Sequence, residues 1–339
     1  MKKILKISTI MLMMLLSLVL FMQNTQASEL NFAVEPVIPD NQRDKTKSYF
    51  DLHVQPNTEQ IIEVNLRNDT DTEVTVEPSV HSATTNLNGV VEYGKVDEKK
   101  DKTLKYDLND LVKVDKEIKI PSQSSIKVPM KIQIPEEKFD GILAGGITFK
   151  EKEKENKNDS SQNGLSIENK YAYVVALVLN ESDTELKSDL QLKKVFPDQV
   201  NSRNVINATI QNTQAKYVNQ LKIEAKVTKK NSDKILYTSK KEQMQMAPNS
   251  TFNYPISLDS KPLKSGQYTL KMSAYSKDDE WHWDENFTIK NSVAKKLNKK
   301  DVSIEHHNAV LYTLILVILL IVIMLIILFK KNKNRKKQN

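Results

Sequence analysis

The sequence predicts an all-β protein: two antiparallel immunoglobulin-like β-sandwich domains followed by one C-terminal transmembrane helix. Three observations carry this. From residue 28 to about 308, apolar residues recur with a period of two, in short runs broken by turn residues. The chain holds no cysteine, so its folded parts must stand on hydrophobic cores, and a stretch of about 280 residues allows two of them. Ala309 to Phe329 is an unbroken apolar run.

The two ends are read from charge and length. Lys2, Lys3 and Lys6 precede an apolar segment, Ile10 to Met22, and the small-residue pattern Thr25-Gln26-Ala27. Residues 1–27 therefore read as a cleaved secretory signal. Residues 309–329, at about 1.5 Å each, span roughly 31 Å, which matches a hydrocarbon core of about 30 Å. Lys330, Lys331, Lys333, Arg335, Lys336 and Lys337 follow at once, as the positive-inside bias requires of a cytoplasmic tail at 330–339. The expected topology is single-pass at the cell membrane, with extracellular domains.

Charge and motifs exclude several classes. The signal holds three lysines and the tail six basic residues, so of the formal +7 the exported stretch keeps −2. Nothing here points to nucleic acid. There are seven glycines and five histidines, and no G-x-G-x-x-G, Walker, H-E-x-x-H or G-x-S-x-G pattern. No cofactor, metal or catalytic residue is expected, and the chain reads as a non-enzyme. A glycosidase-type carboxylate pair stays open, because sequence alone does not place acidic residues relative to one another.

The elements follow in order. Ile62, Val64 and Leu66 alternate with polar residues, Asn68 to Asp71 turns, and Val74 and Val76 resume, which reads as a hairpin. Ile118 and Ile120 follow. Ile126 to Ile134 puts five apolar residues on one face and Pro129 on the other, which marks an edge along that part. Gly141 to Phe149, with Gly145 and Gly146, suits a buried strand that another backbone approaches closely. These fill a first sandwich at 28–150. The Lys/Glu run after Lys150 and the polar stretch to Gly164 read as a charged linker, 151–164, that lets two domains move. The second sandwich, 165–292, opens on the apolar strand Tyr171 to Leu179. It continues through Ile206–Ile210, Leu221–Val227, Phe252–Leu258, Tyr268–Ala274 and Trp281–Ile289. Residues 293–308 read as a basic stalk.

Aromatic residues supply the candidate contacts. In a strand, Trp281 and Trp283 face the same side. Sealing the second core is the favoured reading; a shelf that stacks on sugar or fills a partner's pocket is the other. Tyr49, in Tyr49-Phe50-Asp51-Leu52, has the same ambiguity. With Tyr93, these four are the candidate partner or glycan contacts.

Phe32-x-Val34-x-Pro36-x-Ile38-Pro39-x-Asn41-Gln42, Tyr49 to Leu52, Ser82-Ala83-Thr84-Thr85-Asn86-x-Asn88-Gly89 with Tyr93, and Gly141-x-x-x-Gly145-Gly146-Ile147-x-Phe149 resemble the first domain of the WxL-interacting protein family. The block from Asn169-Lys170-Tyr171-Ala172-Tyr173 to Trp281-x-Trp283 and Phe287 is similar to its second domain. The order of signal, two domains, helix and basic tail is also that family's. The resemblance implies a Gram-positive cell-surface protein whose first domain binds peptidoglycan and whose second binds host protein, partnered by WxL-domain surface proteins. It implies no residue-level site. A different role, assembly chaperone or receptor, would use an open sandwich edge to take a partner's strand.

Overall fold

The structure, a computed structural model, describes residues 30–94, 100–152, 171–277, 279–304 and 317–326. The expected signal, most of the charged linker and the basic tail lie outside these residues. Within them the protein is all-β, with two pairs of facing sheets.

In the first pair, one sheet orders β1 (Ala33–Val37), β3 (Glu59–Asn68), β9 (Ser124–Gln133) and β7 (Val112–Lys113). The other orders β2 (Phe50–His53), β11 (Ala172–Asn180), β10 (Ile142–Glu151), β4 (Val74–Ser82) and β8 (Ile118–Ile120). Ile62, Val64 and Leu66 from one sheet meet Val76, Ile147 and Phe149 from the other, all fully or almost fully buried. In the second pair, β12 (Leu190–Val200), β13 (Arg203–Asn212) and β16 (Ser250–Ser257) face β15 (Ile235–Met246), β14 (Val218–Lys229), β17 (Gly266–Ser276) and β18 (Asp279–Ile289). Ile206, Ala208 and Ile210 pack there against Ile223, Val227 and Leu270. A small hairpin of β5 (Thr84–Thr85) and β6 (Val91–Glu92), a single turn α1 (Leu108–Leu111) and the helix α2 (Asn291–Lys300) accompany the two pairs of sheets.

The period-two pattern places the strands but not their partners. Ile62–Leu66 and Val74–Val76 do not form a hairpin. β3 pairs with β1 and β9, whereas β4 pairs with β10 and β8. The turn after β3 is an arch from one sheet to the other, held by the fully buried Asn68. Its Nδ2 donates to the carbonyls of Thr72, Ile120 and Pro121 at 2.8–3.1 Å, and its Oδ1 accepts from the Thr70 amide. Pro129 sits where expected: β7 covers only Lys131 and Ile132 of β9, so the proline stretch faces an open edge.

Tyr171–Leu179 does not open the second sandwich. β11 pairs with β10 over nine residues and lies parallel to β2, and Val175, Leu177 and Leu179 enter the first core. Residues 153–170 lie outside the described residues, but the strands on either side of them are neighbours in one sheet, so the charged segment does not separate the two sandwiches. Composition marks a solvated segment but does not say which strands it connects. The step between sandwiches is the irregular stretch 181–189.

The expected stalk is also corrected. Residues 291–300 form α2, which packs on the second sandwich through Ala294 and Leu297. Among the described residues no helix is long and apolar enough to cross a membrane. Residues 317–326, within the expected span, are helical, and the flanking parts of that run lie outside the described residues.

Candidate functional site at the junction of the two sandwiches

Three sets of contacts converge where the sandwiches meet. The first is the β5–β6 hairpin. Asn86 closes its turn: Oδ1 accepts from the Asn88 and Val90 amides, and the backbone carbonyl accepts from Gly89. The turn then docks on the second sandwich. The Gln245 amide donates to the Gly89 carbonyl at 2.7 Å, the Ala247 amide to Thr85 Oγ1 at 2.9 Å, and Thr85 Oγ1 meets Ser250 Oγ at 2.7 Å. Gly89 has φ +72°, and a Cβ there would lie 2.6 Å from the Met244 side chain, so no other residue fits without displacement.

The second is Gly141, at φ +78°. A Cβ would run into the Ala215 carbonyl oxygen and the Leu186 side chain. The Ile142 amide donates to that same carbonyl at 2.8 Å. The loop offering it is held by Asn212, fully buried, whose Nδ2 donates to the carbonyls of Lys216 and Ala247 and whose Oδ1 accepts from the Gln214 amide.

The third is Asp101. Oδ2 accepts from the Thr251 hydroxyl, and Oδ1 accepts from Gln211 Nε2 at 2.8 Å and from the Thr103 amide and hydroxyl. Partial burial works against its charge. The hydrogen bonds from Thr251, Thr103 and Gln211 outweigh burial and hold the carboxyl below its ordinary range. Asp107 is alike: burial opposes ionisation, and Lys100, Ser82 and the Asn109 amide overcome it.

Asp101 and Asp107 line a cleft of about 270 Å³ between the sandwiches, with His81, Lys100, Asn249 and Thr251. Thr84 also lines it, and its buried Oγ1 has no hydrogen-bond partner among the described residues. An unpaired buried hydroxyl is costly unless a ligand or water meets it. The cleft is rich in hydroxyl, amide and carboxylate groups, the complement of a polyhydroxylated ligand.

The four aromatic candidates are not brought together. Tyr49 and Tyr93 pack on a small junction core of Ala83, Val91, Ala144, Val178 and Ala247, beside Tyr217. Tyr93 and Tyr217 hydroxyls lie 3.1 Å apart. Burial, with Tyr93 adding to it, pushes the Tyr217 phenol far up, so it stays neutral. Trp281 and Trp283 lie on the edge strand β18, half-buried against the second core. Between them His282 points outward to Ser273 and Glu280.

Sequence reasoning singled out Ser82–Tyr93 and Gly141–Phe149 without assigning them to a junction. It missed Asp101, Tyr217, Ala215 and Gln245–Thr251 entirely. The one available signal was that scarce glycines fall in both segments.

No curated protein matches the chain. Among solved structures, a chaperone–tip adhesin complex of CFA/I fimbriae biogenesis is similar at 10% identity over 76% of this chain and 98% of that one, with a TM-score of 0.32. The E. coli chaperone DraB matches at 14% identity over 76% and 98%, TM-score 0.28. The Salmonella enterica SafA pilin in complex with the SafB chaperone matches at 11% over 78% and 99%, TM-score 0.28. Scores of this size establish no shared fold. Two family models match in order: the peptidoglycan binding domain of WxL Interacting Protein over residues 32–151, and its host binding domain over 162–299. Together they take in most of the sequence, including both junction segments, and the chain belongs to the WxL-interacting protein family.

Proposed function

We propose that the protein is a non-catalytic, membrane-anchored scaffold at the cell surface, built of two immunoglobulin-like sandwiches. The first engages peptidoglycan; the second engages a WxL-domain surface protein or a host protein. The ordered pair of family domains carries this reading. The cleft supports it and narrows it. A glycosidase acid needs a carboxyl pushed above its ordinary range. Asp101 and Asp107 are both held below it, which suits binding sugar rather than cleaving it. We place the glycan contact at the cleft, assign Tyr49 and Tyr93 to junction packing, and leave the half-buried Trp281 and Trp283 to a protein partner.

Anchoring by residues 309–329 has its own support. In the helical stretch 317–326, ten consecutive apolar side chains are each 46–59% exposed. Nothing in the described fold covers them, and so large an apolar surface is unfavourable in water and favourable in lipid. The signal at 1–27 belongs to the same proposal.

Co-sedimentation of the full chain, in nanodiscs, with purified peptidoglycan tests the wall contact. Retention is expected, and T84V, which deletes the unpartnered hydroxyl, should weaken it about three- to tenfold without lowering the melting temperature. No retention of the wild type would sink the wall-binding part.

One observation favours the strand-accepting role as a second reading. β2 covers only Leu177–Asn180 of β11, so the Ala172–Ala176 edge has no strand beside it among the described residues. Tyr171 and Val174 are about half exposed there. A partner strand added at this edge would slow amide exchange of Ala172–Ala176 when a WxL-domain protein is bound. Unchanged exchange in the complex would remove this reading.

A further inference from the structure

α2 is unlike the rest of the surface. It carries Lys295, Lys296, Lys299 and Lys300, with Lys290 at its N-cap. At about 3.6 residues per turn, the four helix lysines share one side, and Val293, Ala294, Leu297 and Asn298 share the other. That other side is docked. Ala294 is buried and Leu297 packs on the second core. Asn298 exchanges hydrogen bonds with the Leu263 backbone and accepts from Asn204. The lysines are all exposed. None of the five has an ion-pair partner among the described residues, whereas Lys240, for example, lies between Glu224 and Glu242.

Helix stability explains only part of this pattern: Lys299 and Lys300 in the last turn suit the dipole, but the rest do not. Lys295 with Lys299, and Lys296 with Lys300, are like charges four residues apart, which repel. Lys290 sits at the end of the helix where the dipole disfavours a cation, with no acidic residue in the first turn. The fold nevertheless fixes the helix firmly. Gln199 Nε2 donates to the Leu297 carbonyl at 2.9 Å, the Asn204 amide to Asp301 Oδ2 at 2.8 Å, and the Val302 amide to the Ser202 carbonyl at 3.0 Å.

The chain leaves the fold at this helix, and the apolar run starts five residues after Ile304. Five extended residues reach at most about 18 Å, and the headgroup layer occupies about 5–8 Å of that gap. Lys295 to Lys300 rise by less than about 10 Å along the helix. The short tether thus keeps the lysine face within reach of the headgroups. Val302, 70% exposed, lies beside it at the exit.

We propose that this lysine face rests on the anionic phospholipid headgroups of the bilayer and fixes how the second sandwich stands on the membrane. The inference rests on the span proposed above. Its reach is set by geometry and its strength by charge, so it weakens as salt screens beyond a Debye length of about 8 Å. β13 runs from Asn204, beside α2, to Asn212 at the junction, about 27 Å at the rise of a strand. An upright second sandwich would hold the junction cleft at that height.

The chain lacks cysteine, so S292C, in the middle of the lysine face, gives one labelling site on the full chain. A fluorophore there, with the chain in nanodiscs that contain a headgroup-spin-labelled lipid, should be quenched about twofold or more strongly in phosphatidylglycerol than in phosphatidylcholine. High salt, or K295Q/K296Q/K299Q/K300Q, should abolish the difference, and a label on N88C should show none. Equal quenching of the S292C label in both lipids, with the chain inserted, overturns the lysine contact and leaves the span standing. Failure of the chain to enter nanodiscs overturns the span, and the inference with it.

Discussion

Replacing Gly141 with valine should destabilise the protein by about 2–5 kcal/mol and separate the unfolding of its two halves. The size has two parts: a left-handed backbone costs a side chain about 1–2 kcal/mol, and forcing atoms into a packed site costs about 1–3 kcal/mol more. The new Cβ would meet the Ala215 carbonyl and Leu186. The wild type should unfold in denaturant as one transition, because the junction couples the sandwiches. G141V should show two. A single transition at unchanged midpoint would mean that the junction bears no load. Alanine at the same position carries the same backbone strain with less bulk, so it should fall between.

The second large effect concerns Asp101. D101A strips the acceptor from Thr251, Gln211 and Thr103 at once, and hydrogen bonds to a charged group contribute about 1.5–3 kcal/mol. A loss of about 2 kcal/mol is expected, because the site is only partly buried. The pH dependence has a definite sign. The folded carboxyl titrates below the unfolded reference of about 3.9, so its contribution is complete above that value. It is lost as pH falls through the lower, folded value. The stability gap between wild type and D101A should therefore be flat from pH 7 to 5 and shrink below about pH 4. A gap that stayed constant into acid would show that the charge at Asp101 contributes nothing. Asp107 differs in having Lys100 beside it, so D107A should respond to salt where D101A does not.

The strands were legible in the sequence because alternation is a local property. Ile126 to Ile134 shows its buried face and its proline-marked edge without reference to anything distant. Pairing is not local. Nothing in Val74-x-Val76 says that it joins β10, more than sixty residues on, rather than β3 just before it. The arch is encoded in Asn68, whose five hydrogen bonds tie the end of β3 to its own turn and to the end of β8 in the other sheet. From sequence, Asn68 looks like an ordinary turn residue. The junction was hidden for a related reason. Thr85, Gly89 and Gly141 matter through Ser250, Gln245 and Ala215, and each reads alone as turn or strand punctuation. α2 was missed because Lys295 to Lys300 is so polar that its docked stripe of Ala294 and Leu297 is too thin to stand out.

The placement of β11 bears on when the first sandwich is finished. A chain made and threaded amino end first presents β10 well before β11. Until residue 180 has emerged, one flank of β10 is bare, and Ile147 and Phe149 lack the neighbours that β11 brings. The family match for the first domain ends at residue 151, short of the strand that completes its sheet. The amino-terminal module is thus the first to appear, yet it cannot close until residue 180 has emerged. Its intermediate exposes a raw sheet flank, the kind of surface that aggregates or recruits helpers.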